Sequence, residues 1–303
     1  MEILLQQSAV MELKCPTCEF KNTNDRHANK NILKDGSYYR TSDRKRVQRY
    51  LCTRCLTRFS SSTLHDCYLQ KKRHMNGLVA RQLVAGVSLR ESARVLKLNR
   101  KTIARKMKFM AARARKDLLT FNKAQKRAVR VQFDDLETFE HTKCKPISIS
   151  LAVEAKSRRI LGFEIAQMPA KGKLAHKSRR LYGRRKDHRS QARTKLFETL
   201  KSLISPFAEI TSDDNPHYPQ AIRKHFPHSV HVRIKGGRSC STGQGELKKV
   251  GFDPIFSFNH TAAMARYRLS RLIRKTWCTS KCIQGIIDHF SLFAAFHNRS
   301  LSP

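Results

Sequence analysis

The spacing of apolar residues changes character twice along the chain. Short strand-like runs at Tyr38-Tyr39-Arg40 and Arg49-Tyr50-Leu51 come first, in a polar, basic setting that includes Gly36. From Met75 the period becomes helical. Met75, Leu78, Val79 and Leu83 share one face, and Gly86 follows where a helix end favours a left-handed residue. Ser88-Leu89-Arg90-Glu91 reads as a capping box that opens a second helix with Leu89, Ala93 and Leu96 on its inner side. Asn99 can cap a third helix from Arg100 to Lys106, with Ile103 and Met107 turned inward. From Ala128 onward the pattern is strand-like. Val129 to Phe133, Pro146 to Val153 and Ile160 to Ala166 read as three strands, the last two joined by the basic turn 156–159. An amphipathic helix through Leu196 to Ile204, a strand at Glu209 to Ser212, a helix at Tyr218 to Phe226, a strand at Val230 to Ile234 and further helix follow. These periods predict an α/β domain over 126–303, a helical module over 70–122 and a small module over 10–68.

Charge narrows the function classes. Sixty-two Lys and Arg face 23 Asp and Glu, a net charge of +39, which repels itself unless a polyanion is near. Nucleic acid is the natural partner. A membrane would also attract it, but there is no apolar run of about 18 residues and no secretory start, so membrane association is not expected. The nine cysteines are unevenly placed, which fits reduced cytosol with four of them on a metal better than a disulfide scaffold.

Cys15-Pro16-Thr17-Cys18 and Cys52-Thr53-Arg54-Cys55 are two C-x-x-C knuckles, a spacing that lets thiolates take adjacent corners of a tetrahedral Zn²⁺ site. Together they read as a zinc ribbon, two β-hairpins pinned at their turns; a redox pair or buried thiols is the plainer alternative. Cys67, Cys144, Cys240, Cys278 and Cys282 lack such spacing and read as core thiols. The three predicted helices after residue 70 read as a helix-turn-helix, with Arg100, Lys101, Thr102 and Arg105 at the start of the recognition helix. An ordinary helical hairpin with a solvated basic face is the alternative.

Two acidic doublets stand where phosphodiester chemistry would need them. Asp134-Asp135 ends the first predicted strand of the α/β domain and Asp213-Asp214 ends the fourth. If those strands are neighbours, Asp134 and Asp213 can share divalent ions, and two Mg²⁺ ions about 3.5–4 Å apart suit in-line displacement at phosphorus. A turn-capping Asp is the common alternative for either one alone.

The knuckles, the helical module, Asp134 with its acidic neighbour, and Asp213 followed by Pro216 and Tyr218 together resemble the DDE-type transposases of insertion sequences, particularly the insertion-sequence-one type. The resemblance is strongest in Arg268-Leu269-Ser270-Arg271-Leu272-Ile273-Arg274-Lys275-Thr276, which is similar to the family's last catalytic helix and the basic segment after it. It implies an RNase H-like catalytic domain that cleaves DNA at transposon ends and joins the freed 3′-hydroxyl to target DNA. It also implies Asp134 and Asp213 as Mg²⁺ ligands, Arg266, Arg274 and Lys275 as DNA contacts, action as a homo-oligomer on double-stranded DNA, and a cytoplasmic, nucleoid-associated location. The third ligand departs from the family pattern. Asn259 occupies the slot filled elsewhere by Glu, Glu246 is the nearest upstream carboxylate, and Asn259 also fits a helix N-cap. A domesticated, catalytically silent DNA-binding regulator is therefore the competing reading. The dense basic run over 171–195 is expected to be a surface loop that contacts phosphate.

Overall fold

Strand-like runs in the first segment pair with one another, as their alternation requires. In the computed structural model, residues 13–19, 31–235, 253–273 and 278–301 are described, and the chain divides into two units, Met1–Leu78 and Val79–Pro303. In the first, β1 (Ile32–Arg40), β2 (Lys45–Cys52) and β3 (Arg58–Ser60) form an antiparallel meander, with a bulge in β1 between Lys34 and Ser37. The second knuckle sits on the turn between β2 and β3, while the first lies in a turn after a single bridge at Lys14. Cys15, Ile32, Cys52 and Phe59 make a small buried cluster.

The division between units falls within α1 (Asn76–Val84). Gly86 follows it with φ +84°, the left-handed residue expected there. Ser88 caps α2 (Leu89–Val95) by accepting from the Glu91 backbone NH, but the Glu91 carboxylate turns to Arg94, so only half of the capping box forms. Asn99 caps α3 through the Lys101 NH at 2.8 Å, and Ile103 and Met107 are buried as expected. α3 (Arg100–Ala124) runs 25 residues, far past the expected recognition helix. Its second half belongs to the α/β core. Leu118 packs in that core, Arg115 pairs with Asp288, and the buried Asn122 amide donates to the carbonyls of Ile160 and Leu161.

The main sheet has the order β6-β5-β4-β7-β8, from β4 (Ala128–Phe139), β5 (Pro146–Glu154), β6 (Ile160–Gln167), β7 (Ile204–Asp213) and β8 (Val230–Ile234). The first three pair antiparallel, whereas β7 and β8 join parallel to β4. One face is covered by α3, α7 (Phe256–Arg268) and α8 (Ile283–Leu301) over Leu136, Ile149 and Leu151. The other is covered by α5 (Arg189–Leu200) and α6 (Tyr218–His225) over Val131, Phe133 and Ile210. Leu203 and Ile204, expected to end a helix, instead lead into β7. The basic run is also not a loop. Residues Leu174–Tyr182 form α4, fixed by Ser178 donating to the buried Cys144 carbonyl and by Lys145 over the Tyr182 ring, and Arg189 begins α5.

Candidate metal centre and carboxylate pair

The four knuckle cysteines meet. Their sulfurs lie within 4.8 Å of one another, with Cys15 to Cys55 at 3.5 Å and Cys18 to Cys52 at 3.6 Å. Tetrahedral Zn–S bonds of about 2.3 Å would separate the sulfurs by about 3.8 Å, so the site fits a metal such as zinc. Hydrogen bonding with Thr57 brings the Cys55 thiol down to about 6, which favours the thiolate a metal needs. None of these cysteines is in a disulfide.

The second candidate lies where β4 and β7 part. Phe133 pairs with Ser212, the last parallel rung, so Asp134 and Asp213 stand next to each other at its end. Strand alternation turns both to the same face as Gln132 and Thr211. Asp134 does not end its strand as expected, because β4 continues to Phe139 against β5. It ends the pairing with β7. That is the physical reason the two carboxylates approach: β7 stops at Asp213 and leaves Asp134 at an open step in the sheet.

Each doublet is electrically asymmetric. Asp135, on the opposite face, accepts from Ser150 Oγ at 2.5 Å and faces Arg193 of α5 at 3.5 Å, both side chains nearly buried. Asp214 pairs with Arg233. The first members have no such partner: among the described residues no ion pair is made by Asp134 or Asp213. Burial pushes the Asp134 carboxyl up to about 7, a hydrogen bond from the Asp135 NH opposes this, and the charge of Asp213 adds to it. Burial likewise raises Asp213, with Asp135 and Asp214 adding. Tyr218 reaches the pair through its hydroxyl, 3.3 Å from Asp134 Oδ1, and its own proton is held firmly by burial and the three surrounding carboxylates. Tyr218 also packs edge-on to Phe133 and lies under the Arg193 guanidinium. Sequence reasoning missed Arg193, since it lies in the basic run expected to be a surface loop on phosphate.

Asn259 lies inside α7 rather than at its cap, its NH bonded to the Ile255 carbonyl. Its side chain is exposed and its amide donates to Asp253 at 2.7 Å. Among the described residues the four thiols are the one group of three or more metal-ligating side chains, so no third carboxylate or imidazole closes on the pair. Glu246, Arg274 and Lys275 lie outside the described residues. Arg266 is in the last turn of α7, and Arg100, Lys101 and Arg105 are exposed at the start of α3 with Thr102 half-buried. No helix among the described residues is long and apolar enough to cross a membrane.

Comparison of the sequence with models of known families gives no match, and comparison with curated proteins gives none either.

Proposed function

We propose that this chain is a DNA transposase of the DDE type, with an RNase H-like catalytic domain behind a zinc ribbon and a helix-turn-helix. The observation that carries the reading is the asymmetry of the two acidic doublets. The outer carboxylates, Asp135 and Asp214, are matched by Arg193 and Arg233, while the inner ones, Asp134 and Asp213, sit side by side with raised carboxyls and no cation among the described residues. Two carboxylates kept this way are stabilised by divalent cations, and the all-oxygen donor set suits magnesium. Magnesium held there would polarise a phosphate oxygen and lower the pKa of a bound water or 3′-hydroxyl. Tyr218 would orient Asp134 by its hydrogen bond, and the Arg193 ion pair would keep Asp135 from adding a further unscreened charge.

Three further features support the same reading. The order β6-β5-β4-β7-β8, with three antiparallel strands followed by two parallel ones, is the arrangement expected of an RNase H-like sheet. The short turn from α2 to the capped start of α3 presents Arg100, Lys101 and Arg105 as a recognition helix would. The net charge of +39 suits a chain that holds double-stranded DNA along much of its surface.

The test is Mg²⁺-dependent cleavage and joining of duplexes taken from the DNA on either side of the gene. Asp134→Asn and Asp213→Asn should each reduce both steps by orders of magnitude while DNA binding stays intact or tightens slightly. Wild-type cleavage by both variants would refute the placement of the site. The competing reading, a catalytically silent regulator, is favoured by the lack of charge at Asn259, whose amide is hydrogen-bonded to Asp253. It expects specific DNA binding and no cleavage by the wild-type chain.

A further inference from the structure

The main sheet ends on one side at β6, and among the described residues no strand pairs with its outer edge. The backbone groups that look outward there follow from the two ends of the strand. Met168 donates its NH inward to the Pro146 carbonyl of β5 at 3.2 Å, whereas the Gln167 carbonyl turns outward to the His188 NH at 3.1 Å. Alternation along an antiparallel strand then turns the NH and carbonyl of Ile165 and Phe163 outward as well. At the far end the Asn122 amide donates to the carbonyls of Ile160 and Leu161. The protein's own groups therefore close both ends of the edge and leave its middle open. Open edges are usually blunted by proline, a bulge or an unmatched charge. Here the register shift falls beyond Gly162, and the one charge in the open stretch, Glu164, is matched by Lys195 of α5 at 3.0 Å.

A groove runs along this edge. Two cavities of about 400 and 330 Å³ adjoin, sharing Glu164, Ile165 and Lys195. Their walls differ. On the α3 and α8 side stand Leu118, Leu119, Ile283 and Ile287, next to the partly buried Phe163 and Ile165. Gln284 on that side is tied to Asp288. On the α5 side Gln191, Lys195 and Thr199 accompany Ala192 and Leu196. Arg115 completes the rim, with Nε and Nη2 engaged by Ser291 and Asp288.

We propose that the outer edge of β6 accepts an added strand, an extended segment of a partner protein in which apolar residues alternate with acidic ones. An extended backbone at a spacing of about 4.8 Å is what satisfies the outward NH and carbonyl groups of Phe163 and Ile165. Successive side chains of such a segment point to opposite sides, so one set meets the apolar wall of α3 and α8 and the other meets Lys195 on the α5 wall. The acidic character follows from charge complementarity. Lys195 has a side chain 72% exposed and holds donors beyond the one used on Glu164, and the chain around it carries a net charge of +39. A second copy of this chain is the poorer occupant. Pairing Phe163 with Ile165 across a two-fold axis would set Glu164 against its own counterpart and bring two strongly cationic chains together. The surface lies two strands from Asp134 and stands whether or not the chain cleaves DNA.

The experiment uses the full-length protein and a synthetic, end-capped peptide of alternating glutamate and valine, with binding read by fluorescence anisotropy and backbone contact by hydrogen exchange. Binding should slow exchange of the Phe163 and Ile165 amides. Ile165→Pro should weaken it by roughly tenfold, since it removes an outward donor while leaving the bonds between β5 and β6 in place. Lys195→Glu, at an exposed position, should weaken the glutamate peptide and favour a lysine–valine one, and it carries the same test should proline disturb the strand. Unchanged affinity in both variants, protection elsewhere with none at β6, or no binding of the peptide at millimolar concentration would each overturn the proposal. Protection of the two amides that rises with protein concentration in the absence of peptide would overturn it in favour of a second copy.

Discussion

Asp134→Asn should make the metal-free protein more stable at neutral pH, even though it removes a residue proposed to be essential. The Asp134 carboxyl has an ordinary value of 3.8 and is held at about 7 in the fold, chiefly by burial. Between those two values the folded chain keeps a proton that the unfolded chain has released, so stability falls as pH rises from about 4 to about 7 and levels off above. At roughly 1.4 kcal/mol per pH unit, the loss amounts to at most about 4 kcal/mol. Asn carries none of this cost, while its Oδ1 can still accept from the Asp135 NH and the Tyr218 hydroxyl. Weaker hydrogen bonds to a neutral acceptor will take back part of the gain, leaving about 2 kcal/mol as a reasonable net. For a unit of this size each kcal/mol moves the melting temperature by about 2–4 °C. Thermal melts of both proteins at pH 4 and pH 8 should therefore show the variant ahead at pH 8 and level at pH 4. Added Mg²⁺ should raise the wild-type melting temperature and leave that of the variant nearly unmoved. A gain of equal size at both pH values, or none at pH 8, would refute the account of Asp134 as a buried, uncompensated carboxyl.

The thiol cluster predicts about one tightly held zinc per chain, and Cys52→Ser should lose it, as read by metal analysis together with loss of ordered structure in the first unit. Arg193→Ala should cost about 3–5 kcal/mol in denaturant unfolding, because it strands the nearly buried Asp135 charge. Adding Asp135→Asn to that variant should recover much of the loss, whereas simple additivity of the two changes would show that the ion pair is not what Arg193 contributes.

Much of this protein is legible without coordinates because the signals involved are short-range. Strand alternation located β5, β6 and β8 to within a residue, and Gly86, Ser88 and Asn99 marked helix ends because capping is settled by the three or four residues around it. The cysteine spacing named all four members of the thiol cluster, since each knuckle presets two corners of a tetrahedron. Asp134 and Asp213 were likewise readable as candidates from their place after apolar runs. What the sequence could not show is which partners long-range packing would supply. Only the parallel pairing of β4 with β7 brings the two doublets together, and only the seating of α5 on the sheet turns Arg193, one cation among many in a basic run, inward to Asp135. Local periodicity reports the face a residue belongs to, while the choice of partner across that face is made by the chain's closure in three dimensions, where neighbours are tens to hundreds of residues apart.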